Sequence, residues 1–252
     1  MKNHYVYQVL FLFAFLFLWE LLVWSMKTPV YLIPAPSDVI IEITRNYQLF
    51  LVNAKITLTE TILGFGLGVS IAFVLSVLIS YSEVFGRIIY PYAVALQTIP
   101  RIAIAPLLLL WFGYGIFSKI LISAIMGFFP VFVNLTVGLN SAKPNLMNLM
   151  KILKANKHQI LMKVRLPSAL PYFFTGLKVA ATFSLIGAIV GEFVGGTAGL
   201  GYLIVTADAD YNTTSVFASL FFLSLMGLFF VWLIETIEKI TIHWHKPESI
   251  FD

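Results

Sequence analysis

The sequence contains no cysteine, and only 11% of its 252 residues are charged. The lack of cysteine excludes a disulfide framework and a thiolate metal site. Globular domains carry about 25% charged residues, so this composition, which is 60% hydrophobic, predicts a membrane protein without a soluble domain. The net charge of +4 does not indicate nucleic-acid binding, because the basic residues cluster beside apolar segments, where membrane topology explains them.

Signatures of enzymes are also missing. The chain has no HExxH, no GxSxG and no P-loop of the form GxxxxGKS or GxxxxGKT. The four histidines (His4, His158, His243 and His245) flank the apolar runs rather than lying within them. We therefore expect no catalytic residues, no metal site and no enzyme on this chain. A relay of several carboxylates deep in the apolar runs is absent too, which argues against a proton-driven carrier.

Six apolar runs are long enough to cross a membrane as helices, which takes about 20 residues. They are Tyr5–Trp24, Thr57–Ile79, Ile88–Phe112, Phe117–Leu139, Tyr172–Val194 and Val216–Ile237. The third run is broken by Pro91, Pro100 and Pro106, and the fourth contains Pro130. The first run is longer than a signal-peptide core and is followed by no small-x-small cleavage site, which favours an uncleaved first span over a cleaved signal.

The connections between the runs predict the orientation of the chain. The connection between the fourth and fifth runs is strongly basic, whereas the connection 195–215 has two aspartates and no Lys or Arg. Cytoplasmic loops carry an excess of positive charge, so an even number of spans places both termini in the cytoplasm. The connection 27–54 is then external, and its apolar spacing predicts a short surface helix with Ser37 as N-cap.

The basic connection has internal structure. Between Lys143 and Arg165 there are six Lys or Arg residues and no Asp or Glu. Apolar residues fall on one helical face in each half, and the stretch Lys154–Lys157 between them predicts a turn. The first set is Leu146, Leu149, Ile152 and Leu153, and the second is Ile160, Leu161, Val164 and Leu166. Leu166-Pro167 is expected to end the second helix. The pattern favours a docking element for a soluble partner. The alternative is the ordinary excess of positive charge that cytoplasmic loops carry.

Few ionisable residues lie in or near the spans. We single out five of them: Glu20, Glu60, Arg101, Lys178 and Glu192. Such residues face the bundle interior or water, so each is either an interhelical or interfacial partner or part of a pathway. Lys178 is close enough to the cytoplasm to snorkel, and Arg101 follows the Pro100 break, where it can bond freed carbonyls. If Arg101 faces a pathway, it favours an anionic substrate.

Glycines in the second and fifth runs follow the small-xxx-small spacing of closely packed membrane helices. They are Gly64 and Gly68, and Gly187, Gly191 and Gly195. The sequence GGTAGLGY, residues 195–202, does not follow a strand, and we interpret it as a tight external loop that opens no phosphate-binding helix.

Several motifs together resemble the permeases of binding-protein-dependent ABC importers, and the resemblance covers most of the chain. The matching stretches are YLIPAPS at 31–37, TIP at 98–100 with PLLLLWFG at 106–113, LPSALP at 166–171, GLKVA at 176–180, and Glu192 with GLGYL at 199–203. Each motif is weak alone, but the combination resembles the nitrate, sulfonate and taurine branch, which includes permeases for thiamine-pyrimidine precursors. The family's Glu-Ala-Ala coupling motif falls at Asn148-Leu149-Met150 and its glycine at Lys154, so the motif itself has diverged here.

The resemblance implies an all-α polytopic membrane protein with six transmembrane helices, a MetI-like ABC permease fold and cytoplasmic termini. It implies one permease domain over residues 1–252, with the external segment 27–54 and a cytoplasmic coupling loop at 143–168. The residues expected to couple to an ATPase are Asn148, Leu149, Met150, Lys151, Lys154, Ala155, Leu166 and Pro167. The residues expected along the translocation path are Arg101, Lys178 and Glu192.

The same resemblance implies the partners. They are a separate ABC ATPase that binds ATP and Mg²⁺, an extracytoplasmic substrate-binding protein, a second permease copy and the membrane lipid; this chain itself holds no cofactor and contacts no nucleic acid. The substrate is either a small organic anion or a thiamine-pyrimidine precursor. An ion-coupled secondary transporter, for which the proline-broken third run is the support, and a non-transporting membrane scaffold remain alternatives.

Overall fold

The computed structural model describes residues 2–242 except 83, 85, 87, 89, 90, 93, 94, 96 and 97. All regular structure in this part of the chain is helical. The α-helices are α1 (Lys2–Ser25), α2 (Pro36–Arg45), α3 (Tyr47–Tyr81), α4 (Ala105–Phe112), α5 (Ile116–Asn140), α6 (Pro144–Ile152), α7 (Lys157–Ile160), α8 (Leu166–Gly195), α9 (Leu200–Ala209) and α10 (Thr213–Thr241). A 3-10 turn at Arg101–Ile104 precedes α4, and a π-helical turn at Leu161–Arg165 joins α7 to α8.

Four helical stretches are long and apolar enough to cross a membrane: Tyr47–Tyr81, Ile116–Asn140, Lys157–Gly195 and Thr213–Thr241. They contain the second, fourth, fifth and sixth predicted spans, and the 24-residue α1 contains the first. The third predicted span falls partly outside the described residues. Residues Thr98–Pro100 of this span are not helical, and helical structure begins again after them with the 3-10 turn and α4. Such an interruption is expected for a run that contains proline.

Helix α5 lies at the centre of the bundle, between α3 and α8, and small residues allow the close approach. A Cβ atom added to Gly187 would fall 2.7 Å from Ser123 Cα, and one added to Gly64 would fall 2.9 Å from the carbonyl oxygen of Ile120. The Ser123 hydroxyl donates a hydrogen bond to the Ser184 carbonyl at 2.9 Å, between α5 and α8. Gly64 and Gly187 therefore have the packing role that their spacing predicted.

The segment 27–54 differs from the sequence prediction in two ways. Helix α3 begins at Tyr47, ten residues before the predicted span, and carries Phe50 into the core against the buried Val39 of α2. Ser37 is not the N-cap of α2, because the helix already begins at Pro36 and the Asp38 carboxylate accepts the Ala35 N–H. The Ser37 hydroxyl instead donates to Glu20 Oε1 at 2.7 Å and ties α2 to α1.

The prediction that Leu166-Pro167 ends the second helix of the basic loop is wrong. The chain stays helical from Lys157 to Gly195, over 39 residues. The π-helical turn makes this possible, because its wider ring pairs the Leu166 N–H with the Leu161 carbonyl and places Pro167 within the first turn of α8. Proline is tolerated there, since the first N–H groups of a helical segment need no partner within it.

The prediction that GGTAGLGY is only a loop is also wrong. Residues 196–199 form a short link, and Leu200 then begins the ten-residue α9. The helix packs against α8 and α10, with Leu200 in the same core cluster as Leu185 and Ala218. The sequence thus does open a helix, and its first N–H groups are taken by side chains of this chain.

Candidate coupling and translocation sites

Helix α6 stands at the surface of the bundle. All nine of its residues are described, and none of them is buried. The predicted coupling residues Asn148, Leu149 and Lys151 are exposed, and Met150 is half-buried. Ile152 and Leu153 at the end of the helix are 77% and 65% exposed, so no residue in the described part of the chain covers the apolar face that the sequence predicted. A free apolar face on a short basic helix is typical of a docking surface.

The C-terminus of α6 has the hydrogen bonds of a Schellman motif. The Ala155 N–H donates to the Met150 carbonyl at 3.0 Å, and the Lys154 N–H donates to the Lys151 carbonyl at 3.0 Å. Lys154 has a φ of 53°, the left-handed conformation that this motif requires and that glycine adopts at least cost. Lys154 is also the position at which the resemblance places the motif's glycine, the residue that adopts this conformation most easily.

A capping box begins the next helix directly after this turn. The Gln159 N–H donates to Asn156 Oδ1 at 2.8 Å, and the Asn156 N–H donates to Gln159 Oε1 at 2.9 Å. These two bonds satisfy donors that the helix leaves free. The predicted turn is therefore confirmed, with Lys157 as the first helical residue, and its conformation is fixed from both sides.

Arg165 anchors the loop to the end of α3. Its Nη1 atom donates to the Ser80 carbonyl at 2.5 Å and to the Ser80 hydroxyl at 2.7 Å. Lys157 lies over the Tyr81 ring, with 5.9 Å between Nζ and the ring centroid. The sequence analysis counted Arg165 only as one of six cations, and no local signal distinguished it from the others. Leu166 and Pro167, predicted as coupling residues, are half-buried behind this anchor.

At the other end of α8, Glu192 is buried and its carboxylate accepts two hydrogen bonds. The Thr57 hydroxyl donates to Oε1 at 2.6 Å, and the Gly201 N–H donates to Oε2 at 2.6 Å. The carboxylate therefore joins α8 to α3 and to the first turn of α9. A negative charge at a helix N-terminus is also favoured by the helix dipole.

Two further bonds complete the N-terminus of α9. Asn53 Oδ1 accepts the Gly199 N–H at 2.7 Å, and the Thr57 hydroxyl oxygen accepts the Leu200 N–H at 2.9 Å. Gly199 has a φ of 110°, and a Cβ atom on it would overlap the Glu192 carboxylate. The motif of Glu192 followed by GLG thus has a structural explanation, and we call the set Asn53, Thr57, Glu192 and Gly199–Gly201 the α9 clasp.

A buried ion pair lies near the clasp. Lys119 Nζ of α5 is 3.4 Å from Glu60 Oε1 of α3, and both side chains are almost fully buried. The sequence analysis did not single out Lys119, and its partner Glu60 lies on another helix, so no local pattern joins the two. Gly191 gives room for the lysine stem, since a Cβ atom there would fall 3.1 Å from Lys119 Cγ.

The three residues predicted along the path do not share one site. Lys178 pairs with Glu238 of α10, with 2.6 Å between Nζ and Oε2, and thereby ties α8 to α10. Glu192 belongs to the α9 clasp. The Arg101 guanidinium lies over the rings of Phe129 and Phe183, at 4.9 Å and 5.7 Å from their centroids, and it bonds no backbone carbonyl of the residues that the structure describes.

A helical bundle with long apolar spans, a buried polar interior and one outward basic helix is typical of a multispanning membrane transport subunit. The model of the family described as binding-protein-dependent transport system inner membrane component matches residues 64–242, and the chain belongs to that family. It is a permease subunit of an ABC importer and resides in the inner membrane.

Two curated relatives indicate which branch of the permease family the chain resembles. The chain is 36% identical to the formylaminopyrimidine transport permease protein ThiX of Halalkalibacterium halodurans over 251 residues, which is 98% of this chain and 100% of the relative. It is 29% identical to the putative aliphatic sulfonates transport permease protein SsuC of Bacillus subtilis over 217 residues, 85% of this chain and 78% of the relative. The resemblance to the nitrate, sulfonate and thiamine-precursor branch is thereby confirmed.

The fold matches a solved transporter. A structure of the MetNI methionine ABC transporter in an inward-facing conformation superposes with a TM-score of 0.69 at 19% identity, covering 78% of this chain and 97% of the matched chain. This similarity confirms the predicted MetI-like, all-helical fold. The cytoplasmic placement of the termini stays a prediction.

Proposed function

We propose that residues 1–252 form one permease domain that pairs with a second permease copy and docks the coupling loop 143–168 on a separate ABC ATPase. An extracytoplasmic binding protein delivers the substrate to the external side, which includes the segment 27–54. ATP and Mg²⁺ bind to the ATPase alone. Closure of the ATPase pair shifts the population of permease conformations from inward-facing to outward-facing, because the two states hold α6 differently.

The observation that carries this proposal is the uncovered apolar face of α6. Leu149 is 50% and Ile152 is 77% exposed on a helix of a loop without a single acidic residue. A groove on a soluble partner would cover this face in the helix-in-groove mode.

The substrate is a small organic anion of the sulfonate, taurine or nitrate type or a thiamine-pyrimidine precursor. Permeases for substrates of both kinds are relatives of this chain, as the names of ThiX and SsuC state.

Affinity purification of the tagged chain from its own membranes in mild detergent tests the proposal, with every co-purifying polypeptide identified. We expect a stoichiometric P-loop ATPase, and we expect Ile152→Asp to remove it. Ile240→Asp is the matched control, because Ile240 is 76% exposed and lies at the end of α10, away from α6. Recovery of a folded chain alone, with uptake that needs no ATP, would refute the proposal and favour an ion-coupled transporter.

A further inference from the structure

A cavity of about 350 Å³ lies between α3, the 3-10 turn at Arg101–Ile104 and α5. Its walls include Ile71 of α3, Ile104 after the Pro100 break and Phe128 and Phe129 of α5. These residues fall near the middle of α3 and α5, so the cavity is at mid-membrane depth. Its volume is within the range of roughly 300–1,000 Å³ that is usual for small-molecule sites.

Arg101 is the one charged side chain among the described residues that line this cavity. Its guanidinium is held between the Phe129 and Phe183 rings, which attract the cation through their faces. The Nη1 atom is buried and has no hydrogen-bond partner in the described part of the chain. Arg101 as a whole is only half-buried, so a ligand that offers an acceptor to the accessible part of the guanidinium gains a hydrogen bond from a charged donor.

The lining does not suit the small anions of this branch. A sulfonate has three strongly hydrated oxygens. A single guanidinium in an otherwise apolar wall offers too few hydrogen bonds to replace those that the sulfonate makes with water. Taurine carries an ammonium group as well, and no carboxylate is found among the described lining residues to receive it. Nitrate is too small to fill an apolar cavity of about 350 Å³.

A planar nitrogen heterocycle suits the same lining well. Its two faces are apolar and pack against aromatic and branched aliphatic side chains such as Phe128, Phe129 and Ile71. A ring nitrogen or carbonyl oxygen at its edge accepts a hydrogen bond in the plane of the ring. A guanidinium N–H beside that edge can donate such a bond. Neutral heterocycles bring no second charge into the membrane interior, which removes the largest desolvation cost.

We propose that this cavity, which we call the Arg101 cavity, is a substrate site of the translocation path, and that it takes a planar, uncharged nitrogen heterocycle whose edge accepts a hydrogen bond from the Arg101 guanidinium. The inference rests on the proposed function and narrows it to one of its two substrate classes. It also revises the expectation that Arg101 favours an anion, because the aromatic rings already engage the guanidinium charge.

The absence of native cysteine gives a first test. Charged methanethiosulfonate reagents modify a cysteine only where water reaches it, so Ile71→Cys in membrane vesicles should react if the cavity is part of a path. Leu228→Cys, on an exposed apolar position of α10, should stay unreactive, and Leu153→Cys on the docking surface should react. Labelling of Leu153→Cys without labelling of Ile71→Cys, or disulfide cross-linking of Ile71→Cys to a second copy, would overturn the proposal.

The second test identifies the ligand class in the complete importer with its ATPase and binding protein. We expect 4-amino-5-hydroxymethyl-2-methylpyrimidine to protect Ile71→Cys from modification and taurine or nitrate to give no protection. Adding Arg101→Leu should weaken this protection about tenfold or more, the usual effect of losing a hydrogen bond from a charged donor. Lys239→Gln removes an exposed cation at the end of α10 and should change nothing.

Protection by taurine or nitrate but not by the pyrimidine, or no protection by any probe up to its solubility limit, would overturn the assignment. ATP-dependent uptake measured in the same vesicles reports on the proposed function separately. If uptake depends on ATP while the pyrimidine fails to protect, only the ligand class is wrong. If ATP has no effect on uptake, the importer mechanism itself fails.

Discussion

The Glu192 carboxylate occupies the space that a side chain on Gly199 would need, and in that position it accepts the Gly201 N–H at 2.6 Å. The spacing from Glu192 to the GLG sequence is therefore a steric requirement as well as a hydrogen-bonding one. Any residue other than glycine at 199 has to displace a buried carboxylate that is also bonded to Thr57.

Gly199→Ala should destabilise the permease by more than about 2 kcal/mol, because it combines a positive φ with an overlap inside a packed site. Thermal unfolding of the purified protein in detergent measures the change. The control is Gly66→Ala, where an added Cβ meets nothing within 4 Å. An equal loss in both variants would show that the clasp is not the cause.

Glu192→Gln should loosen the first turn of α9 at nearly constant volume. The amide offers one accepting oxygen, so one of its two donors, Thr57 or Gly201, loses its partner at a cost of about 1–3 kcal/mol. Hydrogen exchange over residues 199–203 should become faster, while exchange in α6 stays the same. Unchanged exchange at 199–203 would contradict the role assigned to Glu192.

Lys119→Met should be strongly destabilising, by about 3–5 kcal/mol, because it leaves the buried Glu60 without its partner. The double variant Lys119→Met with Glu60→Leu should be more stable than the single lysine variant, since no charge then remains unpaired. Unfolding temperatures of the single and double variants give the coupling between the two sites. Additive losses would mean that the two side chains do not interact.

Lys154→Gly should stabilise the end of α6 by roughly 0.5–1 kcal/mol, because glycine adopts a positive φ without strain. The matched substitution Lys151→Gly removes the same charge from within α6 and should cost about 1 kcal/mol. Proteolytic susceptibility of the loop and ATPase binding, compared between these two variants, separate the effect of conformation from that of charge. Equal behaviour of the two would exclude the Schellman motif as the explanation.

Local patterns predicted helix α6 and its exposed apolar face well. The face of Leu146, Leu149 and Ile152 follows from spacing alone, and its exposure follows from the cations beside it. The glycine spacing likewise predicted close packing at Gly64 and Gly187. These features depend on residues within one or two helical turns of each other, which is the range over which sequence periodicity is informative.

Local patterns could not predict the α9 clasp, because the residues that form its hydrogen bonds are far apart in the sequence. Asn53 and Gly199 are 146 residues apart, and Thr57 and Glu192 are 135 residues apart. Ser37 had the right identity for an N-cap, but the helix already begins at Pro36, and the Ser37 hydroxyl donates to the distant Glu20 instead. Lys119 had an acceptable local environment as a snorkelling lysine, and only the packing of α5 on α3 brings it to Glu60.

The irregular backbone of the helix from Lys157 to Gly195 is concentrated at one end. Three irregular features lie at the end of this helix that is nearer to α6: the π-helical turn at Leu161–Arg165, Pro167 and Pro171. From Tyr172 to Gly195 the α-helix continues without another proline. Bends in helices form at such irregularities, so the 24 residues beyond Pro171 act as a stiff lever about 36 Å long. A tilt of about 5° at its base moves its far end by about 3 Å. That displacement is about the length of the hydrogen bond from the Gly201 N–H to Glu192. A tilt of this size therefore either moves α9 together with α8 or breaks this hydrogen bond.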